Sequence, residues 1–167
     1  MLAMPGKTSL VGTILIVFLI SRTVAAAVIA TGDEKAWQFS QEPNPVSGGT
    51  IYRAQAELPE LRASVRCSSI NPRIEVRFFM SRDRLERFDS VRWQFDGTRS
   101  RSDKWPRSSN GRSLILPSQS RDSFLRKLKA HNFLYLTITS TDGDDTPLEI
   151  PLSGSSAAIS RVTDHCK

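Results

Sequence analysis

The chain has 167 residues and a formal net charge of +6 at pH 7, from 23 lysines and arginines against 17 aspartates and glutamates. This length suits one domain with a single hydrophobic core. The positive charge is local, since the stretch from Arg73 to Arg112 holds eleven basic and six acidic residues and carries +5. A chain that is otherwise close to neutral is not a polycation, so its composition does not indicate a nucleic-acid-binding protein.

The N-terminal segment has the layout of a secretory signal peptide. Lys7 precedes an apolar run of eleven residues, Leu10–Ile20, and small residues follow it. A positively charged N-terminal region, a short apolar region and small residues at the cleavage site are typical of such signals. We therefore predict a signal peptide over residues 1–27, with cleavage after Ala26 or Ala27.

An uncleaved N-terminal anchor is the alternative interpretation. A transmembrane helix needs about 20 mostly apolar residues, and extending the run to Ala30 places Arg22 near its middle. A cleaved signal is therefore favoured, and Ala30 offers a later cleavage site. We expect a protein of the periplasm or the extracellular space, which touches a membrane only if the signal stays uncleaved. Residues 28–47 are interpreted as a lead-in, and residues 48–167 as a single exported β-rich domain.

The cysteine content agrees with export. Cys67 and Cys166 are the two cysteines of the chain, and an even number in an oxidising compartment predicts a disulfide. Such a bridge encloses a loop of about 100 residues, for which the chain-entropy estimate is about 4.7 kcal/mol. Two separate buried thiols are the alternative. The two cysteines and two histidines lack the spacing of a zinc site, so no metal site is expected.

Alternation of apolar and polar residues predicts antiparallel strands over most of the domain. The first two runs, Tyr52–Leu58 and Leu61–Cys67, read as a hairpin around Pro59 and Glu60. Asp142–Asp145 is predicted to form a turn. Further strands are predicted at Ile74–Phe78, Val91–Phe95, Ser113–Leu116, Phe133–Thr139 and Leu148–Leu152.

Two segments have helical periodicity instead. In the first, Ser118–Asn132, Ser118 or Ser120 is the expected N-cap. The second follows Ser153 and extends to Cys166, with an apolar stripe that would turn Cys166 towards Cys67. The apolar residues of the two stripes are Phe124, Leu125 and Leu128, then Ala158, Ile159 and Val162.

These elements predict an α+β fold: a mainly antiparallel β-sheet, sandwich-like or half-barrel-like, with two short helices near the C-terminus. Trp37 and Trp93 are expected to be structural. Residues 98–112, rich in serine and arginine, are interpreted as a long exposed loop.

The sequence predicts no catalytic residue and no cofactor. His131 lies at a helix end, where a cation suits the helix dipole, and His165 and Cys166 are helical neighbours that point about 100° apart. Asp142, Asp144 and Asp145 lack the later glutamate of a calcium-binding loop. We therefore do not expect an enzyme.

The arginine-rich middle is the expected partner-binding region. Basic residues around an aromatic ring can bind an anionic surface or an acidic protein, and export argues against nucleic acid. The predicted contacts are Arg99, Arg101, Trp105 and Arg107. Trp105 is interpreted either as a lid over the sheet edge, which is favoured, or as an anchor facing the partner.

A solvated sheet face with ordinary surface ion pairs is the alternative interpretation of this region. The pairs expected on it are Arg77 with Glu75 and Arg92 with Asp89.

The order of these features resembles the TagO/VasI family of type VI secretion-associated proteins. The similar landmarks are the early Trp37, the segments Val65–Cys67, Val91–Asp96 and Trp105–Ser109, and the closing stretch Leu152–Cys166. The resemblance implies a periplasmic, non-enzymatic accessory role, with Cys67 and Cys166 as the family's cysteine pair.

The expected function is therefore that of an exported accessory or binding protein of a bacterial envelope or secretion system. Its partner would be a protein of that system or an anionic surface. The alternative is a secreted inhibitor of a hydrolase, either a protease or a lysozyme, that inserts the arginine-rich loop into its target.

Overall fold

The computed structural model describes residues 37–166, which form nine strands and three helices. The strands pair antiparallel throughout, in two open sheets of five and four strands, so the predicted α+β, mainly antiparallel fold is confirmed. The predicted signal peptide, residues 1–27, lies outside the described residues. In chain order the elements are β1 (Trp37–Pro43), β2 (Thr50–Leu58), β3 (Leu61–Ser68), β4 (Glu75–Phe79), α1 (Arg82–Glu86), β5 (Phe88–Phe95), β6 (Arg101–Asp103), β7 (Ser113–Ile115), α2 (Ser118–Ala130), β8 (Phe133–Ser140), β9 (Asp145–Pro151) and α3 (Ser155–His165).

The five-stranded sheet, called sheet A, has the order β1-β2-β3-β4-β7. Successive side chains of a strand point to opposite faces, and one face of sheet A is apolar. Ala54, Val65 and Val76 form a buried row across its centre. The predicted hairpin is present, and its strands pair as far as Leu58 opposite Leu61.

Strand β1 lies within the range interpreted as a lead-in, residues 28–47. It pairs with β2 from Trp37 opposite Ala56 to Pro43 opposite Thr50. Its sequence, WQFSQEP, has apolar residues at its first and third positions only, so alternation does not predict it. The indole of Trp37 is buried, as expected, and its Nε1 donates a hydrogen bond to the Pro151 carbonyl at 3.1 Å.

The four-stranded sheet, called sheet B, has the order β6-β5-β8-β9. Trp93, Leu136 and Leu148 form one cross-strand row on its apolar face. Trp93 is buried there, as its place in the alternation predicts. The turn predicted at Asp142–Asp145 connects β8 to β9, although β9 already begins at Asp145.

Residues 98–112 are not the long exposed loop that their composition predicts. They contain β6, the buried Trp105 and a short stretch, residues 106–108, that we call the strap. The strap runs along β7, where Ile115 donates its N–H to the Pro106 carbonyl and Ser108 donates to Ser113, both at 2.8 Å. These bonds satisfy backbone groups that a free loop would leave to water.

The helices match two predictions and add a third element. Helix α1 follows Ser81 and is too short, at five residues, for periodicity to indicate it. Helices α2 and α3 lie where they are predicted, but Pro117 occupies the N-cap position of α2 and no side chain caps the helix, so the predicted capping by Ser118 or Ser120 is wrong. No helix within residues 37–166 combines the length and the apolarity needed to cross a membrane.

Phe124 of α2 connects the two sheets through the core. Its ring makes edge contacts with Phe78 of sheet A at 6.2 Å and with Trp93 and Phe95 of sheet B, both at 5.1 Å, measured between ring centroids. Edge-to-face pairs of this kind stabilise a core beyond their buried area. Helix α2 therefore provides the packing between the apolar faces of the sheets.

Helix α3 packs on β1 and β2 and ends at the second cysteine. Cys67 on β3 and Cys166 form a disulfide, with Cα atoms 6.3 Å apart and a sequence separation of 99 positions. The bridge therefore ties the end of the chain to the middle of sheet A.

Candidate anion-binding surface

The four residues predicted as partner contacts belong to different elements of the domain. Arg101 lies on β6 in sheet B, where its guanidinium is 5.6 Å from the ring centroid of Trp93, and the exposed Arg99 precedes it. Arg107 belongs to the strap, where it bridges to Leu114 in sheet A. Arg99, Arg101 and Arg107 are all exposed and thus stay predicted contacts.

Trp105 is a core residue, so its predicted role as a partner-facing anchor is corrected. It is 2% exposed, and its ring packs on Phe78 and Phe124 at centroid distances of 5.1 and 6.0 Å. A side chain with so little exposed area offers no contact to a partner. The structure therefore favours the lid interpretation.

Arg107 is also engaged within the domain. Its Nη1 donates a hydrogen bond to the carbonyl of Leu85, near the end of α1, at 2.9 Å. This bond holds α1 against the strap, and the side chain stays exposed, so Arg107 remains a predicted contact as well.

The outer face of sheet A carries a denser arginine cluster. Two neighbouring cross-strand rows run across β2, β3 and β4: the first is Arg53, Arg66 and Glu75, and the second is Gln55, Ser64 and Arg77. Directly opposed residues on one face have Cβ atoms about 5 Å apart. Arg62 lies beside these rows, with its guanidinium carbon 4.3 Å from the centroid of the Phe79 ring. We call the four residues Arg53, Arg62, Arg66 and Arg77 the arginine face.

Glu75 is the acceptor at the centre of this face. Its Oε2 lies 2.7 Å from Nη2 of Arg77 and 3.3 Å from Nη2 of Arg66. Arg53 is paired separately, with Glu42 at 2.6 Å. Because two guanidinium groups share one carboxylate, the central triad carries one uncompensated positive charge.

The electrostatic crowding is visible in the pKa of Arg66. Burial lowers this pKa below the ordinary arginine value, and the nearby guanidinium of Arg77 lowers it further, whereas Glu75 opposes both effects. An additional anion beside Arg66 would relieve the same repulsion. The face is therefore electrostatically suited to a second carboxylate or another oxyanion, which guanidinium groups bind with two parallel hydrogen bonds.

Two polar atoms of the second row find no hydrogen-bond partner among residues 37–166. They are Oε1 of Gln55 and Oγ of Ser64, and both are buried. Ser64 is 1% exposed although it points to the outer face. Buried polar groups are usually paired, so these two mark a place where hydrogen-bonding capacity is left unused.

Two clefts adjoin the arginine face at its β4 end. The first, of about 200 Å³, is lined by Arg66, Arg73 and Glu75 together with loop residues that include Asn44 and Asn71. The second, of about 490 Å³, shares Arg73 and Glu75 and adds Lys104 and Arg121. The clefts extend the basic surface beyond the strands.

The sequence pattern predicts part of the arginine face. Arg53, Arg66 and Arg77 occupy polar positions of predicted strands, but their clustering depends on which strands are neighbours. The pairing of Arg77 with Glu75 is predicted and present. The pairing of Arg92 with Asp89 is wrong: Arg92 contacts Asp145 at 3.0 Å, and Asp89 contacts Lys104 at 3.4 Å.

The two histidines make contacts within the domain. His131 ends α2, and its Nδ1 lies 3.6 Å from Oδ1 of Asp96, while His165 stacks on Tyr52. Within residues 37–166, no group of three or more histidine, cysteine, aspartate or glutamate side chains is placed to hold a metal ion.

The comparisons with known proteins find a likeness in structure only. No protein-family model and no curated protein matches the chain. Among solved structures, it is similar to the crystal structure of invasion associated protein B from Bartonella henselae, with a TM-score of 0.52 and 13% identity. The match covers 78% of this chain and 93% of that one. At such low identity the likeness shows the fold alone, so this chain shares its fold with the Bartonella protein.

Proposed function

We propose that this protein is an exported, non-enzymatic accessory protein of the bacterial envelope that binds an acidic protein partner through the arginine face. A role in a type VI secretion system, as the TagO/VasI resemblance implies, is the finer form of this proposal. That form is supported by the sequence landmarks only, since no family model matches.

Three observations support export. The run Leu10–Ile20 with its flanking residues has the layout of a signal peptide. The disulfide between Cys67 and Cys166 suits an oxidising compartment. The structural neighbour is, by its title, an invasion associated protein, which is consistent with a protein that acts at or beyond the cell envelope.

The sharing of Glu75 by Arg66 and Arg77 is the observation that carries the binding role. The triad already holds a carboxylate between two guanidinium groups, and it retains a positive charge for a second one. Its flat position on a sheet face suits contact with another protein more than enclosure of a small molecule.

A labelled decaglutamate peptide tests this role directly. We expect the double variant Arg66→Gln/Arg77→Gln to bind it about tenfold more weakly at low salt. The matched control Arg99→Gln/Arg101→Gln removes the same charge from sheet B and should leave the affinity unchanged. Glu75→Gln should bind the peptide more tightly, because the competing internal carboxylate is gone.

If Arg99→Gln/Arg101→Gln loses affinity and Arg66→Gln/Arg77→Gln does not, the peptide binds at the contacts predicted from the sequence and not at the arginine face. Stronger binding to phosphatidylglycerol vesicles than to the peptide would assign the face to a lipid surface and overturn the proposal. Inhibition of lysozyme or an envelope protease would support the inhibitor alternative instead.

Mass spectrometry of the protein recovered from the periplasm tests export. A chain beginning at Ala27, Val28 or Thr31 would show cleavage at one of the three predicted sites, whereas an intact N-terminus would show an anchor. The mass difference of 2 Da on reduction reports the disulfide.

A further inference from the structure

Strand β1 is the open edge among the four sheet edges of the described residues. The β7 edge is covered by the strap, β9 carries Pro147 and Pro151, and β6 has three residues only. Prolines, short strands and coverage are the usual protections of an edge. Among the seven residues of β1, the only such protection is Pro43, at the end of the strand.

The direction of each backbone N–H and C=O group of β1 follows from the hydrogen bonds at the two ends of the strand. Trp37 donates its N–H away from β2, to the Ser153 carbonyl at 3.1 Å, and Asn44 donates inwards to Gly49 at 2.6 Å. Inward and outward residues alternate along an antiparallel strand. Phe39 and Gln41 therefore direct their N–H and C=O groups outwards, at the free edge.

A groove runs beside this edge, between β1 and α3. It has a volume of about 360 Å³ and is lined by Trp37, Gln38 and Phe39 on the strand and by Gly154, Ala157, Ala158 and Arg161 on the helix side. The small side chains of α3 leave the groove open. An extended peptide needs this arrangement, because it pairs with a free edge while its alternate side chains enter the groove.

Arg161 gives the groove a positive charge. Its guanidinium carbon lies 4.0 Å from the ring centroid of Phe39, and none of the ion pairs found within residues 37–166 includes it. A carboxylate next to Phe39 would meet an exposed cation that is already held in place by the aromatic ring. Charge complementarity thus favours an acidic peptide.

We propose that the groove between β1 and α3 binds an extended, carboxylate-bearing peptide segment of a partner protein, which adds as a sixth strand to sheet A. The peptide pairs with Phe39 and Gln41, and its carboxylate contacts Arg161. This site is separate from the arginine face, which lies on the strand surface and not at the edge.

The probe is a pool of N-acetylated, C-amidated heptapeptides with glutamate at the centre and β-branched or aromatic residues on either side. Titration into the isotope-labelled exported protein should shift the amide resonances of Phe39 and Gln41. A pool with glutamine at the centre should bind about tenfold more weakly. In Arg161→Gln this preference should disappear.

Two pairs of variants separate backbone pairing from general surface binding. Gln41→Pro removes an outward N–H, whereas the control Gln41→Ala keeps it. Ala157→Trp fills the groove, whereas the control Ser156→Trp places the same ring on an exposed position outside the groove lining. We expect loss of binding in the first member of each pair and wild-type binding in the second.

Equal binding by Ala157→Trp and Ser156→Trp would overturn the proposal, as would an absence of shifts at Phe39 and Gln41. Concentration-dependent dimers that Gln41→Pro abolishes would identify a second copy of the chain as the occupant and also overturn it. Arg66→Gln/Arg77→Gln should bind the heptapeptides normally, so failure of this site is distinguishable from failure of the arginine face.

Discussion

The ring of Tyr52 stacks on the imidazole of His165, with centroids 4.2 Å apart and an angle of 6° between the ring planes. Tyr52 lies opposite Cys67 on the neighbouring strand, and His165 directly precedes Cys166. The stack therefore lies beside the disulfide and is a second contact that holds the end of α3 on sheet A.

Removal of the disulfide should destabilise the domain strongly. We expect Cys67→Ser/Cys166→Ser to lower the free energy of unfolding by about 2–4 kcal/mol, since the bridge closes a loop spanning 99 residues. His165→Ala keeps the bridge and loses the ring contacts with Tyr52 and, at 6.2 Å, with Phe39, at a cost of about 1 kcal/mol. Urea denaturation measures both. Equal stability of the double serine variant and the wild type would contradict a structural role for the bridge.

The two buried tryptophans Trp93 and Trp105 should respond differently to replacement by phenylalanine. Nε1 of Trp93 donates to Oδ2 of Asp103 at 2.8 Å, whereas Nε1 of Trp105 is buried and finds no acceptor in the described part of the chain. Trp105→Phe removes an unsatisfied donor, and Trp93→Phe removes a bond to a charged acceptor. We expect the second change to cost about 1–2 kcal/mol more in unfolding free energy. A larger cost for Trp105→Phe would indicate that its indole has an acceptor.

Asp96 should contribute a pH-dependent share of the stability. The backbone N–H of Phe133, and next that of Asn132, donate to Oδ1, both at 3.0 Å, and lower the pKa of Asp96 below its ordinary value of 3.8. The contribution is present above about pH 4 and is lost as the pH falls through the lowered pKa. Asp96→Asn should be less stable than the wild type at pH 7.

The difference between Asp96→Asn and the wild type should narrow as the pH falls below 4, in thermal unfolding followed across pH. Asp122→Asn, at an exposed position of α2, is the matched control and should track the wild type at every pH. A difference that stays constant from pH 7 to pH 2.5 would show that the carboxylate charge is not involved.

Gly48 and Gly49 in the β1–β2 loop should resist alanine for different reasons. Gly48 has a φ of +74° with open space around it, whereas a Cβ at Gly49 would lie 2.8 Å from both Cγ1 of Ile70 and Oγ of Ser69. Gly48→Ala should cost about 1–2 kcal/mol from conformation alone. Shortening the neighbour by Ile70→Ala should reduce the cost of Gly49→Ala and leave that of Gly48→Ala unchanged, as double-mutant cycles would show.

The sequence predicts those parts of the fold in which local pattern and burial agree. The hairpin of β2 and β3 alternates strictly, and helices α2 and α3 have apolar stripes. Strand β1 is polar because its edge position needs few apolar contacts. The strap could not be predicted, because its backbone bonds depend on the location of β7.

For the candidate site, the sequence predicts the residue type, arginine, but not the positions that form the site. The sequence predicts arginine residues as the partner contacts, but the ones it selects, Arg99, Arg101 and Arg107, are close in sequence and belong to different elements. Arg66 and Arg77 are eleven positions apart and converge on Glu75 through strand pairing. Trp105 is misassigned as a contact because an aromatic residue among charges has the same local sequence in a lid as in an interface.

The bonds of Trp37 to Pro151 and Ser153 join the first described strand to the far end of the domain. The acceptors for its indole and its amide lie in the last strand and in the loop that follows, and the indole bond joins residues 114 positions apart. Contacts of such long sequence separation form slowly, because the chain between them must first be brought together. The start of β1 therefore gains these two bonds only after β9 has taken its place in sheet B.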